Sequence, residues 1–190
     1  MTDLSAPVHR TTAELDAGVD HIRQSPADQG ELRLVVRRPS VDEREVLAEV
    51  QLDIEVGVVG DTWNQRGSKR TDDGGPHPDM QLNIMNARVI ELLAPDPDRR
   101  ALAGDQLYID MDLSTANLPP GTRLAVGTAV IEVTAQPHTG CKKFTERFGL
   151  DAARWVNSEV GDELHLRGIN AKVVQNGMVR TGDDVVKQVP

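Results

Sequence analysis

The chain contains a single cysteine, Cys141, which sits between a glycine and two lysines. The reactive form of cysteine is the thiolate, and nearby positive charge favours it. Lys142 and Lys143 can supply that charge, as can Arg147 one turn further on. The run 142–148 can also start a helix, which would place Cys141 at the positive end of a helix dipole. These features predict a thiolate that acts as a nucleophile or as a metal ligand.

A histidine, His138, lies three residues before the cysteine. Across the intervening turn its imidazole can accept a proton from the sulfur or donate one to it, which makes His138 the second candidate catalytic residue. Gly140 lets backbone N–H groups approach an anion closely. The alternative is a cysteine that packs as a small apolar side chain, the commoner role of a lone cysteine in a cytosolic protein. Local spacing leaves both readings open.

A second candidate site is the segment 57–75, which reads GVVGDTWNQRGSKRTDDGG. Its Gly, Asp and Asn content predicts a long loop, and long loops in compact domains are usually functional or mobile. Asp61, Trp63 and Arg66 are the side chains that this loop can present to a ligand. A plain solvent loop that buries only Trp63 is an equal alternative.

Short strands at close spacing, with few helices, predict a mainly β (β-rich α+β) barrel or sandwich with a few short peripheral helices. At 190 residues the chain suits a helical N-terminal extension (1–29) followed by one domain (30–190). A hairpin is the clearest element, because two β-rich runs meet at Gly127-Thr128. The patterns predict helices at 11–25 and 151–157, and strands at 32–36, 46–58, within 80–93, and at 106–109, 122–126, 129–134, 163–167 and 172–175.

Composition excludes several classes of protein. Lys and Arg total 21 against 30 Asp and Glu, a net charge of −9, which argues against a nucleic-acid binder. The longest apolar run is too short to cross a bilayer, and residues 1–10 contain no apolar stretch like that of a signal peptide. We therefore expect a cytoplasmic protein without nucleic-acid or membrane partners. One cysteine allows neither an intramolecular disulfide nor a zinc site built on several thiolates.

The stretch 121–145, GTRLAVGTAVIEVTAQPHTGCKKFT, resembles the signature of MOSC domains, the module found at the C-terminus of molybdenum-cofactor sulfurases. Upstream, GVVGD at 57–61 resembles the GxxGD segment of that family. AGDQL at 103–107, with Asn117-Leu118, resembles its central segment. The run PHTGCKKFxxRFG at 137–149 is similar to small stand-alone members. The resemblance extends from about residue 30 to the C-terminus.

This resemblance implies a β-barrel-like fold and sulfur or molybdenum chemistry at Cys141. In the sulfurases the equivalent cysteine receives sulfur as a persulfide and passes it to the molybdenum cofactor. In related reductases of N-hydroxylated compounds it ligates molybdenum directly. The molybdenum cofactor is therefore the cofactor implied, and a soft thiolate suits either role. Pyridoxal phosphate would belong to a separate partner, a cysteine desulfurase, and a molybdoenzyme is the other partner implied.

Two departures from the family pattern bear on these roles. Larger members carry an extra N-terminal β-barrel domain that helps to hold the pterin, and about 30 residues are too few to form one. Many members also have Pro immediately before the cysteine, where this chain has Gly140.

The resulting hypothesis is a sulfurtransferase or molybdenum-dependent oxidoreductase that acts through Cys141, with His138 tuning its protonation. Lys142, Lys143 and Arg147 would bind an anionic group, and Asp61, Trp63 and Arg66 would contact the cofactor. The alternative is a non-catalytic module that recognises an anionic small molecule or a partner. A third reading is a molybdenum-dependent reductase of N-hydroxylated substrates.

Overall fold

A computed structural model describes residues 9–188 of the chain. Residues 1–8 lie outside the described residues, and so do Val189 and Pro190. Residues 1–8 are part of the predicted N-terminal extension (1–29) and of the segment 1–10 that lacks a signal-peptide pattern. The strands are β1 (Gln29–Arg37), β2 (Glu45–Leu47), β3 (Glu49–Asp53), β4 (Gly57–Val58), β5 (Leu82–Asn86), β6 (Leu107–Asp110), β7 (Arg123–Val126), β8 (Ala129–Val133), β9 (Ile169–Gln175), β10 (Gly177–Arg180) and β11 (Asp184–Lys187).

Seven of these strands close into a barrel. They follow the order β11-β7-β8-β9-β5-β6-β1, and β1 pairs with β11 to complete the ring. Within the ring only β5 and β6 are parallel. β2 pairs with the C-terminal end of β1. The strands β10, β3 and β4 form a separate small sheet. The predicted mainly β barrel with short peripheral helices is confirmed.

The helices lie around the barrel and are mostly short. They are α1 (Thr12–Asp16), α2 (Val19–Arg23), α3 (Ala87–Leu93), α4 (Lys142–Val156) and α5 (Glu159–Leu164), with 3-10 turns at Trp63–Gln65, Pro78–Met80 and Pro97–Ala103. Within residues 9–188, no helix combines the length and the apolarity that crossing a membrane requires.

The barrel strands β5 and β6 bury both of their faces, because one face fills the barrel and the other supports the helices, whereas β7 and β11 expose their outer faces in part. On β6, Leu107 and Ile109 point into the barrel interior, whereas Tyr108 between them belongs to the outer apolar cluster. This is the two-residue periodicity of a strand. The outer cluster also holds Leu15 from α1 and Phe144 from α4. The helices that carry the candidate site are thus fixed to the barrel by apolar packing.

The predicted helix over 11–25 is interrupted in the structure. The capping box between Thr11 and Glu14 is present as predicted, but α1 ends at Asp16 and α2 begins at Val19. A Cβ at Gly18, between them, would lie 2.4 Å from the Cδ2 atom of Leu92. The glycine therefore allows close packing against α3, and the apolar spacing that predicted one helix is shared by two.

Further elements differ from the prediction. The run 46–58 is divided into β2, β3 and β4, and the second half of 80–93 is the helix α3. The predicted strand 163–167 is wrong, because α5 runs to Leu164 and the chain then turns at His165, which has a left-handed φ of 48°. The buried Leu164 and Leu166 mimic strand alternation across this helix end. The predicted helix 151–157 is the second half of the longer α4, which is kinked at Gly149.

The hairpin is confirmed, and it delivers the cysteine segment. β7 and β8 pair antiparallel from Arg123↔Glu132 to Val126↔Ala129 around Gly127-Thr128. The chain leaves β8 at Val133, and segment 134–141 then leads into α4. Because β8 also pairs with β9, the start of this segment is fixed within the closed barrel.

Gly168, at the turn before β9, packs closely against the neighbouring strand β5. It has a φ of +109°, and a Cβ there would lie 2.1 Å from the carbonyl oxygen of Ile84 on β5. Gly182 has a φ of +96°, but a Cβ there meets nothing within 4 Å. We predict that Gly182→Ala lowers the free energy of unfolding by about 1–2 kcal/mol through backbone strain alone. Gly168→Ala should lower it by at least about 2 kcal/mol more, measured by urea unfolding. Equal losses would contradict the close packing.

Candidate functional site

Cys141 is exposed and its thiol is free. It occupies the N-cap of α4, as the prediction that a helix starts at 142 requires, and its carbonyl accepts a hydrogen bond from the backbone N–H of Thr145 at 3.0 Å. The first turn of α4 contains no acidic residue. The sulfur is therefore accessible from solvent in a setting that favours negative charge.

The residue before the cysteine is held by one side chain. The N–H of Gly140 donates to Oδ1 of Asn157 at 2.9 Å, and Nδ2 of Asn157 donates to the Gly140 carbonyl at 3.4 Å. Nδ2 also donates to the carbonyl of Ala153 at 2.8 Å. A Cβ at position 140 would lie 2.8 Å from Nδ2, and a proline would lack the N–H. Where many family members have proline, this chain has Gly140, which hydrogen bonds to Asn157 hold in place. Asn157 is therefore a positioning residue for Cys141.

The three basic residues after Cys141 do not share one environment. The Lys142 side chain is 92% exposed and lies 3.8 Å from Glu146. Lys143 and Arg147 instead both contact Oδ1 of Asp42, at 2.7 Å and 3.0 Å. Lys143 and Arg147 therefore face a common surface beside α4, whereas Lys142 points into solvent.

That surface contains an arginine cluster, made up of Arg38, Arg44, Arg66 and Arg147. A Cβ at Gly104 would lie 3.3 Å from Nη2 of Arg44 and 3.9 Å from Nη1 of Arg147, and the Gly104 carbonyl accepts a hydrogen bond from Arg38 at 3.1 Å. Three guanidinium groups thus converge on Gly104.

The charges of the arginine cluster are not balanced locally. Burial, followed by repulsion from Arg147 and Arg38, lowers the pKa of Arg44, and its Nε atom is buried without a hydrogen-bond partner among residues 9–188. Although the Arg66 residue is exposed, neighbouring protein atoms partly desolvate its guanidinium, and this desolvation and the charge of Arg38 lower the pKa of Arg66. The acids that contact the cluster are Asp42 and Asp61. This surplus of positive charge suits an anion.

The structure places the predicted loop residues on the edge of this cluster. The Asp61 carboxylate is buried and holds the Arg38 guanidinium through two bonds of 2.8 Å. It also accepts a hydrogen bond from the backbone N–H of Trp63 at 2.9 Å, and the Trp63 side chain is buried. Arg66 is exposed and bonds to the hydroxyl of Thr62. Of the three predicted ligand contacts, Arg66 is the one that faces solvent.

Next to Gly104 lies a buried carboxylate, Asp105. Arg167 donates to both of its oxygens, at 3.0 Å and 2.7 Å, and Nε2 of His138 lies 2.7 Å from Oδ1. The Arg167 guanidinium also stacks over the ring of Phe144 on α4, 4.9 Å from its centre. This triad joins the cysteine segment, the barrel and α4.

Electrostatics define the protonation of the triad. Burial alone would raise the pKa of Asp105, but the charges and hydrogen bonds of Arg167 and His138 outweigh it and hold the pKa at about 2. Burial, and then the charge of Arg167, lower the pKa of His138. An ionised carboxylate only accepts hydrogen bonds, so Nε2 of a neutral His138 carries the proton and Nδ1 carries a lone pair.

Among the described residues, no hydrogen bond links His138 to Cys141, and the ring is instead held by Asp105. A role for His138 in tuning the thiol therefore stays a prediction. Sequence reasoning missed Asp105 and Arg167, which are 62 residues apart. Asp105 stood in the AGDQL segment of the family resemblance, but nothing in the sequence marked Arg167 as its partner.

In the part of the chain that the structure describes, no three His, Cys, Asp or Glu side chains are grouped so that they could hold a metal ion. Cys141 therefore stays the one metal ligand predicted from the sequence.

Comparisons with known proteins agree with this fold. The family model described as MOSC domain matches residues 80–186. No protein in a curated collection matches the sequence. Among solved structures, YuaD from Bacillus subtilis is 16% identical with a TM-score of 0.59, and the match covers 85% of this chain and 97% of YuaD.

YiiM from Escherichia coli is 20% identical with a TM-score of 0.53, and the match covers 84% of this chain and 70% of that one. YiiM from Geobacillus stearothermophilus is 14% identical with a TM-score of 0.51, over 86% and 74% of the two chains. At these identities the structures show a shared fold.

The buried triad makes a stability prediction. Arg167→Met removes the cation that neutralises Asp105, and we expect the free energy of unfolding to fall by about 3–5 kcal/mol, measured by chemical denaturation. Arg180→Met is the matched control, because Arg180 pairs with Glu49 on the surface and should cost at most about 1 kcal/mol. Similar losses in both variants would show that Asp105 does not depend on Arg167.

Proposed function

The chain belongs to the MOSC domain family, and from this premise we propose that it carries sulfur or binds molybdenum through the thiol of Cys141. The observation that supports the proposal is the position of Cys141 at the start of a helix that borders a positively charged surface. The thiol is free and exposed at the start of α4. Lys143 and Arg147, on the same helix, contact Asp42 on the neighbouring surface, which has a surplus of positive charge. An anionic reactant is favoured beside that positive charge.

The residues present fit an anionic cofactor. The buried Nε of Arg44 lacks a partner among residues 9–188, and an anion that accepts its N–H would remove the penalty of leaving it unpaired. Arg44, Arg66 and Arg147 would hold the anionic part of the molybdenum cofactor, and Cys141 would ligate the metal as a soft thiolate. When bound, that cofactor supplies redox chemistry at molybdenum. Asp61 and Trp63 contribute indirectly. The Asp61 carboxylate orients the Arg38 guanidinium, and the backbone N–H of Trp63 donates a hydrogen bond to that carboxylate.

Sulfur transfer needs the same thiol without the metal. The Cys141 thiolate attacks the outer sulfur of a donor persulfide, the donor leaves as its thiolate, and Cys141 then carries the persulfide. The exchange is redox-neutral and follows the course of thiol–disulfide exchange. The exposure of Cys141 suits a donor protein such as a cysteine desulfurase, which would keep pyridoxal phosphate in its own site, and a molybdoenzyme as the acceptor.

The arginine cluster also favours a second candidate, a non-catalytic module that binds an anionic small molecule. In this alternative Arg44, Arg66 and Arg147 form the whole site, and Cys141 takes no part. The two candidates therefore differ in whether binding depends on the sulfur.

The test is metal analysis and intact mass of protein expressed in a molybdenum-replete host. We predict either about one molybdenum per chain or a mass increase of about 32 Da from a persulfide on Cys141. Cys141→Ser should abolish whichever is found. Arg44→Met should lower molybdenum content and leave a persulfide in place, because it removes an anion contact and not the sulfur.

Lys142→Met is the matched control, because Lys142 points into solvent and its loss should change neither signal. If the wild type carries neither molybdenum nor a persulfide, and Cys141→Ser binds an anion such as inorganic phosphate as well as wild type does, the proposed role of Cys141 is contradicted. The anion-binding alternative would then stand.

A further inference from the structure

A cavity of about 330 Å³ lies beside the cysteine segment. Its walls come from segment 133–139, from the loop at 115–120, and from the turn between α5 and β9. That volume is in the range of small-molecule sites. Cys141 does not line the cavity, so it is a different place from the site proposed above.

The wall of the cavity combines an apolar part with few charges. Pro120, Ala135 and Pro137 contribute exposed apolar surface, and the buried Leu118, Val133 and Ile169 lie beneath the wall. Among the described residues, no Lys or Arg lines the cavity. An anion would therefore find no counter-charge here, in contrast to the arginine cluster.

His138 gives the cavity a hydrogen-bond acceptor, because its contact with Asp105 fixes which ring nitrogen carries the proton. Its Nε2 is bound to the Asp105 carboxylate, which Arg167 keeps ionised. The imidazole is consequently a neutral ring with its proton on Nε2, and Nδ1 has a free lone pair. Nδ1 makes no hydrogen bond within residues 9–188, and His138 lines the cavity. Nδ1 of His138 is not one of the buried unpaired atoms, so water can satisfy it, and a ligand that displaces this water must bring a donor in its place.

Asp162 on α5 supplies a second acceptor, and it is the one carboxylate among the described lining residues. Its neighbour Glu163 pairs with Arg23 at 2.6 Å, whereas Asp162 forms no ion pair with any described residue. A carboxylate binds an ammonium through charge-assisted hydrogen bonds, which are stronger than neutral ones. The net charge of −9 also favours the approach of a cation.

The second histidine of the lining adds no free donor. Nδ1 of His165 lies 2.8 Å from the carbonyl oxygen of Leu113, and Nε2 lies 3.1 Å from the hydroxyl of Thr115. Both ring nitrogens are thus already paired. The unpaired acceptors of this wall are Nδ1 of His138 and the carboxylate of Asp162. Gln136 and Thr139 also line the cavity, and the Gln136 amide N–H groups and the Thr139 hydroxyl have no partner within residues 9–188, so the lining offers neutral donors but no described Lys or Arg.

We propose that this cavity binds a small organic cation, a primary ammonium attached to a compact apolar group. The ammonium donates to Nδ1 of His138 and to the carboxylate of Asp162, and the apolar group packs on Pro120, Ala135 and Pro137. This site is independent of sulfur or molybdenum at Cys141.

The experiment uses three isosteric probes: benzylammonium, benzyl alcohol and benzoate. Each is titrated into the nitrogen-15-labelled full chain at pH 7, and shifts are followed at the backbone amides of Thr139 and Gly168 and at the ring nitrogens of His138. We expect benzylammonium to bind, with shifts at these positions, and to bind at least tenfold more tightly than the other two probes. Asp162→Asn should weaken binding by about tenfold, the loss expected for one charge-assisted hydrogen bond.

Glu159→Gln is the matched control, because Glu159 is on the same helix and does not line the cavity, and it should bind as wild type does. Cys141→Ser should also bind normally, so failure of the Cys141 proposal does not mimic failure here. The inference is overturned if benzyl alcohol or benzoate binds as tightly as benzylammonium, if no probe binds, or if Asp162→Asn and Glu159→Gln have equal effects.

Discussion

The arrangement of the site depends on one buried carboxylate. Asp105 has no exposed surface, and a charge in that position persists only when it is paired. Arg167 provides the pairing from the turn before β9, and His138 provides a further hydrogen bond from the segment before Cys141. Asp105 thereby ties the cysteine segment to the closed barrel, and it also sets which nitrogen of His138 carries a proton.

Two surfaces of opposite character surround this carboxylate. On one side, Gly104 is the point at which Arg38, Arg44 and Arg147 converge, and there the surplus charge is positive. On the other side, the cavity beside His138 has unpaired acceptors and no cation among its described lining residues. A protein with a net charge of −9 thus has one surface suited to anions and another for which we propose a cation, and Asp105 is adjacent to Gly104 in the chain and contacts His138 on the cavity wall.

The sequence patterns predicted what depends on local periodicity. The hairpin at Gly127-Thr128 was predictable because strand propensity and turn chemistry agree there. The segment 163–167 was mispredicted because Leu164 and Leu166 are buried on either side of a helix end, which gives the spacing of a strand.

The candidate site was predicted only in part. Cys141 was identified because a lone cysteine beside two lysines is visible in one short segment. Asp105 and Arg167 were not, because a buried ion pair is made by the fold from distant positions. Lys142 and Lys143 are adjacent in sequence, but the helix directs them to different surroundings.

Asp105 fixes His138 as a neutral ring with its proton on Nε2, and nitrogen-15 NMR of the histidine side chains at pH 7 measures this directly. We expect a protonated Nε2 and an unprotonated Nδ1 for His138. Because burial and the charge of Arg167 lower the pKa of His138, we expect that state to persist as the pH falls below 6.5. A proton on Nδ1, or a doubly protonated ring at pH 7, would show that Asp105 does not fix the ring in this way.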